Sequence, residues 1–383
     1  MIASTEQIDD IEAAVREIKA QLDSQKPLKN TIGIIACHYE FVLSGVVKAL
    51  GEALPFDTAG TITSVGTVNN TAGTLLLTLM VLTSDDVRFE TALSSSLRGD
   101  PEKAIMETYA GAETAFPGER PALLFAFAPF MLENSGDKYV EALTRASGGI
   151  PCFGTLAVDD TPDFRECYML YRGEYYRDRM SMILVYGAVN PKFFLATISE
   201  NKILDKAALI TSSEGHILKE INHRPVVEYF ESMGLTKASE TSYAMTSLPF
   251  MLDYGDGTPP VSKVFIGLNE NKHAICAGAM PEGSTLYLGV FDKEDVLLTT
   301  GEALEAAFRE TPHPSGILIY SCVSRLMSLG SDLLAESKMI KEKAAGKAPL
   351  LMAYSGGEIC PTLINEQTAI NRFHNNTVII CIF

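Results

Sequence analysis

One pattern recurs three times along this chain and limits its fold more than any other feature. A β-branched apolar run, an amphipathic stretch and a second apolar run follow one another at residues 31–37, 41–50 and 56–62, again at 122–128, 137–146 and 150–157, and again at 316–321, 327–345 and 350–355. Short apolar runs without polar alternation read as strands buried on both faces, and the intervening 3.6-residue periodicity reads as a helix laid across them. Threefold repetition of one strand-helix-strand unit predicts an α/β chain with α+β elements, built from mixed sheets that helices cover on at least one face.

The remaining segments fit around these copies. Residues 168–171, 180–187, 193–198 and 377–383 read as further strands, and 75–82 with 87–93 as a strand pair about the turn Ser84-Asp85-Asp86. The polar stretch 199–206 marks a domain boundary. Beyond it come a hairpin at 207–212 and 216–221, a short helix opening at Pro225, strands at 263–268, 273–278 and 285–290, and a helix at 294–309. At the start, Ser4 and Gln7 form a capping-box pattern ahead of the stripe Ile8, Ile11, Val15, Ile18 and Leu22, which predicts an amphipathic helix. A chain of 383 residues is long for one core. The expected division is therefore a helix over 1–27, one domain over 28–202 and a second over 203–383.

Charge and cysteine usage narrow the function. A net charge of -17 and the absence of a Lys/Arg tract argue against binding nucleic acid or an anionic membrane face. Apolar runs such as 75–82 are too short to span a bilayer, and the opening MIASTEQIDD lacks the basic and apolar regions of a secretory signal, so a cytoplasmic location is expected. Seven cysteines without a CxxC or CxxH pair read as reduced, buried thiols.

Polar residues gather where ligand pockets form in α/β sheets, just past the carboxyl ends of the strands. The first copy offers His38 there. The third is richer, with Cys322-Val323-Ser324-Arg325, Ser355-Gly356-Gly357-Glu358 and Phe373-His374-Asn375-Asn376-Thr377. Arg325 can grip an anionic group and Glu358 a cationic one, or the two can pair with each other. Gly356 and Gly357 permit a close backbone approach to a ligand or simply a tight turn. His374, Asn375, Cys322 and His38 complete the candidate ligand-binding set. Cys322, between strand and helix, also raises a thiolate nucleophile with His374 and Glu358 as its relay, against the alternative of an inert buried thiol. GxGxxG, GxxxxGK[ST], GxSxG and HExxH are absent. The six histidines are too dispersed for a metal site, although one His suffices as an axial haem ligand.

Several of these segments, in this order, resemble the FIST family of bacterial and archaeal intracellular sensory proteins. Phe56-Asp57-Thr58-Ala59-Gly60-Thr61-Ile62 and Phe153-Gly154-Thr155-Leu156-Ala157-Val158-Asp159-Asp160 are similar to its FIST N domain. Asn222-His223-Arg224-Pro225-Val226-Val227-Glu228-Tyr229, Cys322-Val323-Ser324-Arg325, Gly357-Glu358-Ile359-Cys360-Pro361 and Phe373-His374-Asn375-Asn376-Thr377 are similar to its FIST C domain. Asp57 stands where the family often has Cys, and Thr61 where it often has an acidic residue. The resemblance implies signal transduction through a small ligand, usually an amino acid, with haem and nitric oxide as an alternative in some members. It also implies output through a histidine kinase, chemoreceptor or cyclic-dinucleotide enzyme. With no room in the chain for such a domain, a separate partner is expected, and the helix carrying Ile8 to Leu22 is a candidate contact surface.

Overall fold

The structure is a computed structural model that describes residues 1–131, 133–161, 164–234, 249–290, 292–365 and 368–383. All three copies are present. Each sets its two strands side by side and parallel: Asn30–Cys37 with Thr58–Ile62, Leu123–Pro129 with Cys152–Ala157, and Ile317–Cys322 with Leu350–Ser355. Each parallel pair lies at the centre of a six-stranded sheet.

The repeat is larger than the sequence pattern suggests. Its order is edge strand, helix, strand, helix, strand, hairpin and return strand. The first unit runs from Ile2–Thr5 to Leu77–Ser84, the second from Arg88–Leu93 to Ser181–Tyr186, and the third from Lys192–Ala196 to Val378–Ile382. In every unit the hairpin leaves its own sheet. The first unit's hairpin joins Leu350–Ser355 of the third, the third's joins Cys152–Ala157 of the second, and the second's joins Thr58–Ile62 of the first. This cyclic exchange ties the three sheets into one body.

Alternation along the strands explains how the layers pack. Ile32, Ile34 and Ala36 of the first sheet, Leu123, Phe125 and Phe127 of the second, and Leu318 and Tyr320 of the third face a shared central core. Their neighbours point the other way, under the helices. Ile35 and Cys37 meet Ile18 and Leu22, Leu124 and Ala126 meet Ile105 and Leu143, and Ile317 and Ile319 meet Leu304 and Ile340. With both faces buried, the strands need the uninterrupted apolar runs seen in the sequence.

A fourth sheet of eight strands is inserted in the third unit, between Lys192–Ala196 and Lys293–Glu310. It has its own core, where the Phe230 ring lies tilted against Phe250 and edge to face with Phe265, ring centroids 5.8 and 5.4 Å apart.

Several expectations change. The boundary near residue 202 marks the start of this insertion, but 203–383 does not stand alone: its hairpin completes the second sheet, and residues 66–73 complete its third. The first helix is Ile11–Asp23, capped by Asp10, whose Oδ1 accepts from the Ala13 N–H at 2.8 Å; residues Ile2–Thr5 are instead a strand paired with 77–80. That helix buries Ala14, Ile18 and Leu22 on the first sheet, with Ile8 and Val15 partly buried beside them, while Ile11 of the same stripe stays exposed. The strands Leu77–Ser84 and Arg88–Leu93 lie in different sheets. The long helix expected at 327–345 breaks into Val323–Ser328 and Ala335–Ala344, with Gly330 at φ 60 between them. The helix Pro101–Glu113 went unread in the sequence because its hydrophobic face is weakly marked by small residues such as Ala104 and Ala112.

Candidate functional site

The richest polar cluster forms where the hairpin of the third unit crosses onto the second sheet. Glu358 lies opposite His374 across the hairpin and opposite Thr155 on the other side, so the three are neighbours across adjacent strands. At the equivalent register of the second unit's hairpin, Met169 sits opposite Thr61 and Tyr176, so the acid and imidazole belong to one junction of the three.

Glu358 and His374 are buried, and both Glu358 carboxyl oxygens, both His374 ring nitrogens and the Asn375 Oδ1 lack a hydrogen-bond partner. Buried polar atoms are normally paired, so this concentration is unusual. Ser355 stands close by but commits its proton to the Gly357 carbonyl at 2.8 Å, while its oxygen accepts from Thr155 at 2.6 Å. Burial pushes the Glu358 carboxyl well above the usual carboxylate range, and Ser355, Cys322 and the Thr377 backbone offset only part of this. Burial, with Lys263 second, pushes His374 down to about 3. Burial therefore favours the neutral form of both groups in the resting cluster.

The fourth sheet closes over this cluster. The Asn375 N–H donates to the Ser262 carbonyl at 3.1 Å, and Asn376 Nδ2 donates to Ser262 Oγ at 3.1 Å. Lys263, fully buried, donates to both Asp137 oxygens at 2.8 and 3.0 Å and to the Phe373 carbonyl at 2.8 Å. Burial alone would lower the Lys263 ammonium, but Asp137 and Tyr254 outweigh it and hold it above its ordinary value. Asp137 also accepts from Ser135 and from the Ala279 N–H at 2.6 Å.

Other residues picked from the sequence play structural parts. Arg325 turns away from Glu358 and pairs with Glu336 at 3.1 Å; its remaining donors go to the carbonyls of Thr197 and Val296 and the hydroxyls of Thr299 and Thr300. Its guanidinium is fully buried and committed, because the short helix Val323–Ser328 aims it at the helix layer. Arg325 thus leaves the ligand set. Gly357 is required by packing: a Cβ there would lie 2.2 Å from the Phe373 ring, and one at Gly356 would lie 3.0 Å from the Ala157 carbonyl. His38 occupies the first unit, where its ring meets Asp160 at 3.3 Å and stacks on Tyr39.

Cys322 borders the cluster but is no thiolate. Burial, then the Glu358 carboxyl, pushes its thiol up to about 12, opposite to what a nucleophile requires. All seven cysteines are buried, so the native protein should resist iodoacetamide at neutral pH while the denatured chain reacts fully; rapid native labelling at Cys322 would restore the thiol mechanism.

Haem does not fit at His374 or His38, the two histidines of the candidate set. An axial histidine needs a free ring nitrogen facing an apolar slot, yet His374 is enclosed by the hairpin and the fourth sheet, and His38 is bonded to Asp160. Three surface cavities formed by described residues contain no histidine.

The pH dependence of stability tests the state of His374. The imidazole titrates near 6.5 in the unfolded chain and near 3 in the folded one, so below pH 6.5 the unfolded chain gains a proton that the folded chain refuses, and stability is lost toward pH 3. By about pH 5 this loss is about 2 kcal/mol. His374→Gln should therefore lose about 2 kcal/mol less than the parent between about pH 7 and pH 5 in urea unfolding. Equal losses would mean that His374 is not held neutral.

Sequence reasoning missed Ser262, Lys263 and Asp137. Lys263 had a signal, a lone cation inside the apolar run Val261 to Phe265, but its partner Asp137 lies 126 positions away.

The comparisons with known proteins agree with the segments that frame this cluster. The family model of the FIST N domain matches residues 31–224, and that of the FIST C domain matches residues 226–361. The chain belongs to the FIST family. FIST domains are associated with sensory signal transduction and small-ligand binding. Glu358 falls within the matched FIST C segment, whereas His374 and Asn375 lie beyond it, on the strand that pairs with it. No curated protein matches the chain. Among solved structures, a chorismatase aligns over 94% of both chains at 10% identity and a TM-score of 0.36; Thermotoga maritima PurL complexed with AMPPCP aligns over 98% of this chain and 68% of its own at 10% identity and a TM-score of 0.21. No helix among the described residues is long and apolar enough to cross a membrane.

Proposed function

We propose that this FIST protein is a small-molecule sensor whose ligand site is the covered cluster of Glu358, His374 and Asn375. One observation carries the reading: five buried polar atoms of these three side chains are unpartnered at a single sheet junction. A ligand that satisfies them gains the free energy that the resting protein forgoes.

The cover supplies the means of signalling. Asn375 lies next to His374 on the chain and bonds Ser262 of the fourth sheet, so a ligand reaching Glu358 must part these contacts and shift the fourth sheet. That differential contact between closed and open forms is what a sensor needs. The output passes to a separate partner, of the class of a histidine kinase, chemoreceptor or cyclic-dinucleotide enzyme, and the ligand is a small molecule that carries an amino group, the class to which amino acids and amines both belong.

A thermal-shift screen of the full chain against amino acids, amines and organic acids tests this. A compound that raises the midpoint of the parent and fails to do so for Glu358→Gln supports the site. A compound that stabilises both equally overturns it.

A further inference from the structure

The charges around the cluster narrow its ligand further. Among the described residues, the buried acids are Asp137, Asp159, Asp295, Glu336 and Glu358. Asp137 holds Lys263, and Glu336 holds Arg325 together with the hydroxyls of Thr300, Ser321 and Tyr354. Asp159 accepts from the backbone and hydroxyl of Thr161, and Asp295 accepts from Ser199. Glu358 alone in this set both lacks a cation and has no well-formed hydrogen bond on either oxygen, Ser355, Cys322 and the Thr377 N–H being its polar neighbours.

The cations give the complementary half. Lys263 and Arg325 are the buried cations among the described residues, and each is saturated by a carboxylate and backbone carbonyls. An anionic ligand group placed beside Glu358 and His374 would meet no free cation. Burying an unpaired carboxylate is strongly unfavourable, whereas an ammonium or guanidinium placed against Glu358 forms a charge-assisted pair in a site sheltered from water.

We infer that the ligand is a small organic cation, a primary amine or guanidine without a carboxylate in the pocket, with its nitrogen on Glu358 and its remaining donors or acceptors on His374 and Asn375. This rests on the sensing role proposed for the cluster and deepens it by naming the ligand's class. Binding also moves a proton: the Glu358 carboxyl loses its hydrogen to solvent as the cation's nitrogen takes its place. The titratable groups that face it are Cys322 at the end of its own sheet's neighbour, His374 across the hairpin and Arg325 beyond, with Lys263 and Asp137 on the far side of His374. Cys322 and Cys360 keep their protons and His374 is already the neutral imidazole, so the released proton is that of Glu358.

Isothermal titration of the full chain with matched pairs decides the matter: agmatine against arginine, putrescine against ornithine, and histamine against histidine. An amine should bind at least about tenfold more tightly than its carboxylated counterpart, lose that affinity in Glu358→Gln, and retain the preference in His374→Gln. Its apparent enthalpy should vary with the ionisation enthalpy of the buffer, reporting proton release. An amino acid that binds as well as its amine, and depends on Glu358, overturns the ligand class and leaves the sensing site intact. A member of either series whose binding is indifferent to Glu358→Gln overturns the site itself. Absence of binding by all six compounds overturns the ligand class.

Discussion

Arg325→Ala should unfold the third unit more readily rather than silence a binding site. The side chain is fully buried, pairs with Glu336, and holds the carbonyls of Thr197 and Val296 together with the hydroxyls of Thr299 and Thr300. It thereby joins the edge-strand end, the helix Lys293–Glu310 and the helix Ala335–Ala344. Removing it leaves Glu336 buried without its cation and takes a donor from the carbonyls of Thr197 and Val296, and breaking a buried pair from one side costs about 3–5 kcal/mol. Arg325→Lys should recover only part of this, because one ammonium cannot span the planar fork of contacts. Urea unfolding measures the effect. A variant within about 1 kcal/mol of the parent would contradict the structural role of Arg325.

Lys263→Met should have an effect of similar size with a different location. Asp137 would keep Ser135 and the Ala279 N–H but lose its counter-ion, and the Phe373 carbonyl would lose its donor. The expected loss is about 3–5 kcal/mol, concentrated where the fourth sheet meets the second unit. Hydrogen exchange should quicken along Val261–Lys263 and Thr368–His374 before the central strands are affected. Replacing both partners, in Lys263→Met with Asp137→Leu, should return most of the stability, since no buried charge is then left unpaired. Uniform exchange across the molecule in the single variant would show that the pair does not act as the latch of the fourth sheet.

Much of the fold was legible because the strands are buried on both faces. Their runs could be read without knowing any contact, and the three copies fell in the right places. What the sequence could not show was where the hairpins go. Gly66–Val68 and Glu358–Asn365 carry no mark that sends them to another unit's sheet, because the pairing is made by backbone groups that every residue has. The same limit hid the site's organisation. Glu358 and His374 were visible as polar residues at strand ends, and their spacing fits a hairpin. Arg325 looked equally suited to a ligand, but its direction depends on Glu336, eleven residues on and across a helix break, so its true partner was out of reach. Lys263 and Asp137 were hidden for the same reason, being joined by tertiary packing alone.

The central claim is that Glu358 is held without a partner for the sake of a ligand. The most direct measurement is the unfolding free energy of Glu358→Met against the parent at about pH 7, without any added compound. A side chain kept for binding burdens the empty protein, so its apolar replacement of similar volume should stabilise the fold by about 1–3 kcal/mol. The raised carboxyl pKa points the same way: the folded chain holds a proton that the unfolded chain releases above about 4.5, so the acid's contribution to stability falls as pH rises from there. A gain in stability is the predicted result. A loss comparable to that of Arg325→Ala would mean that Glu358 is a structural acid, and the sensing site would have to lie elsewhere.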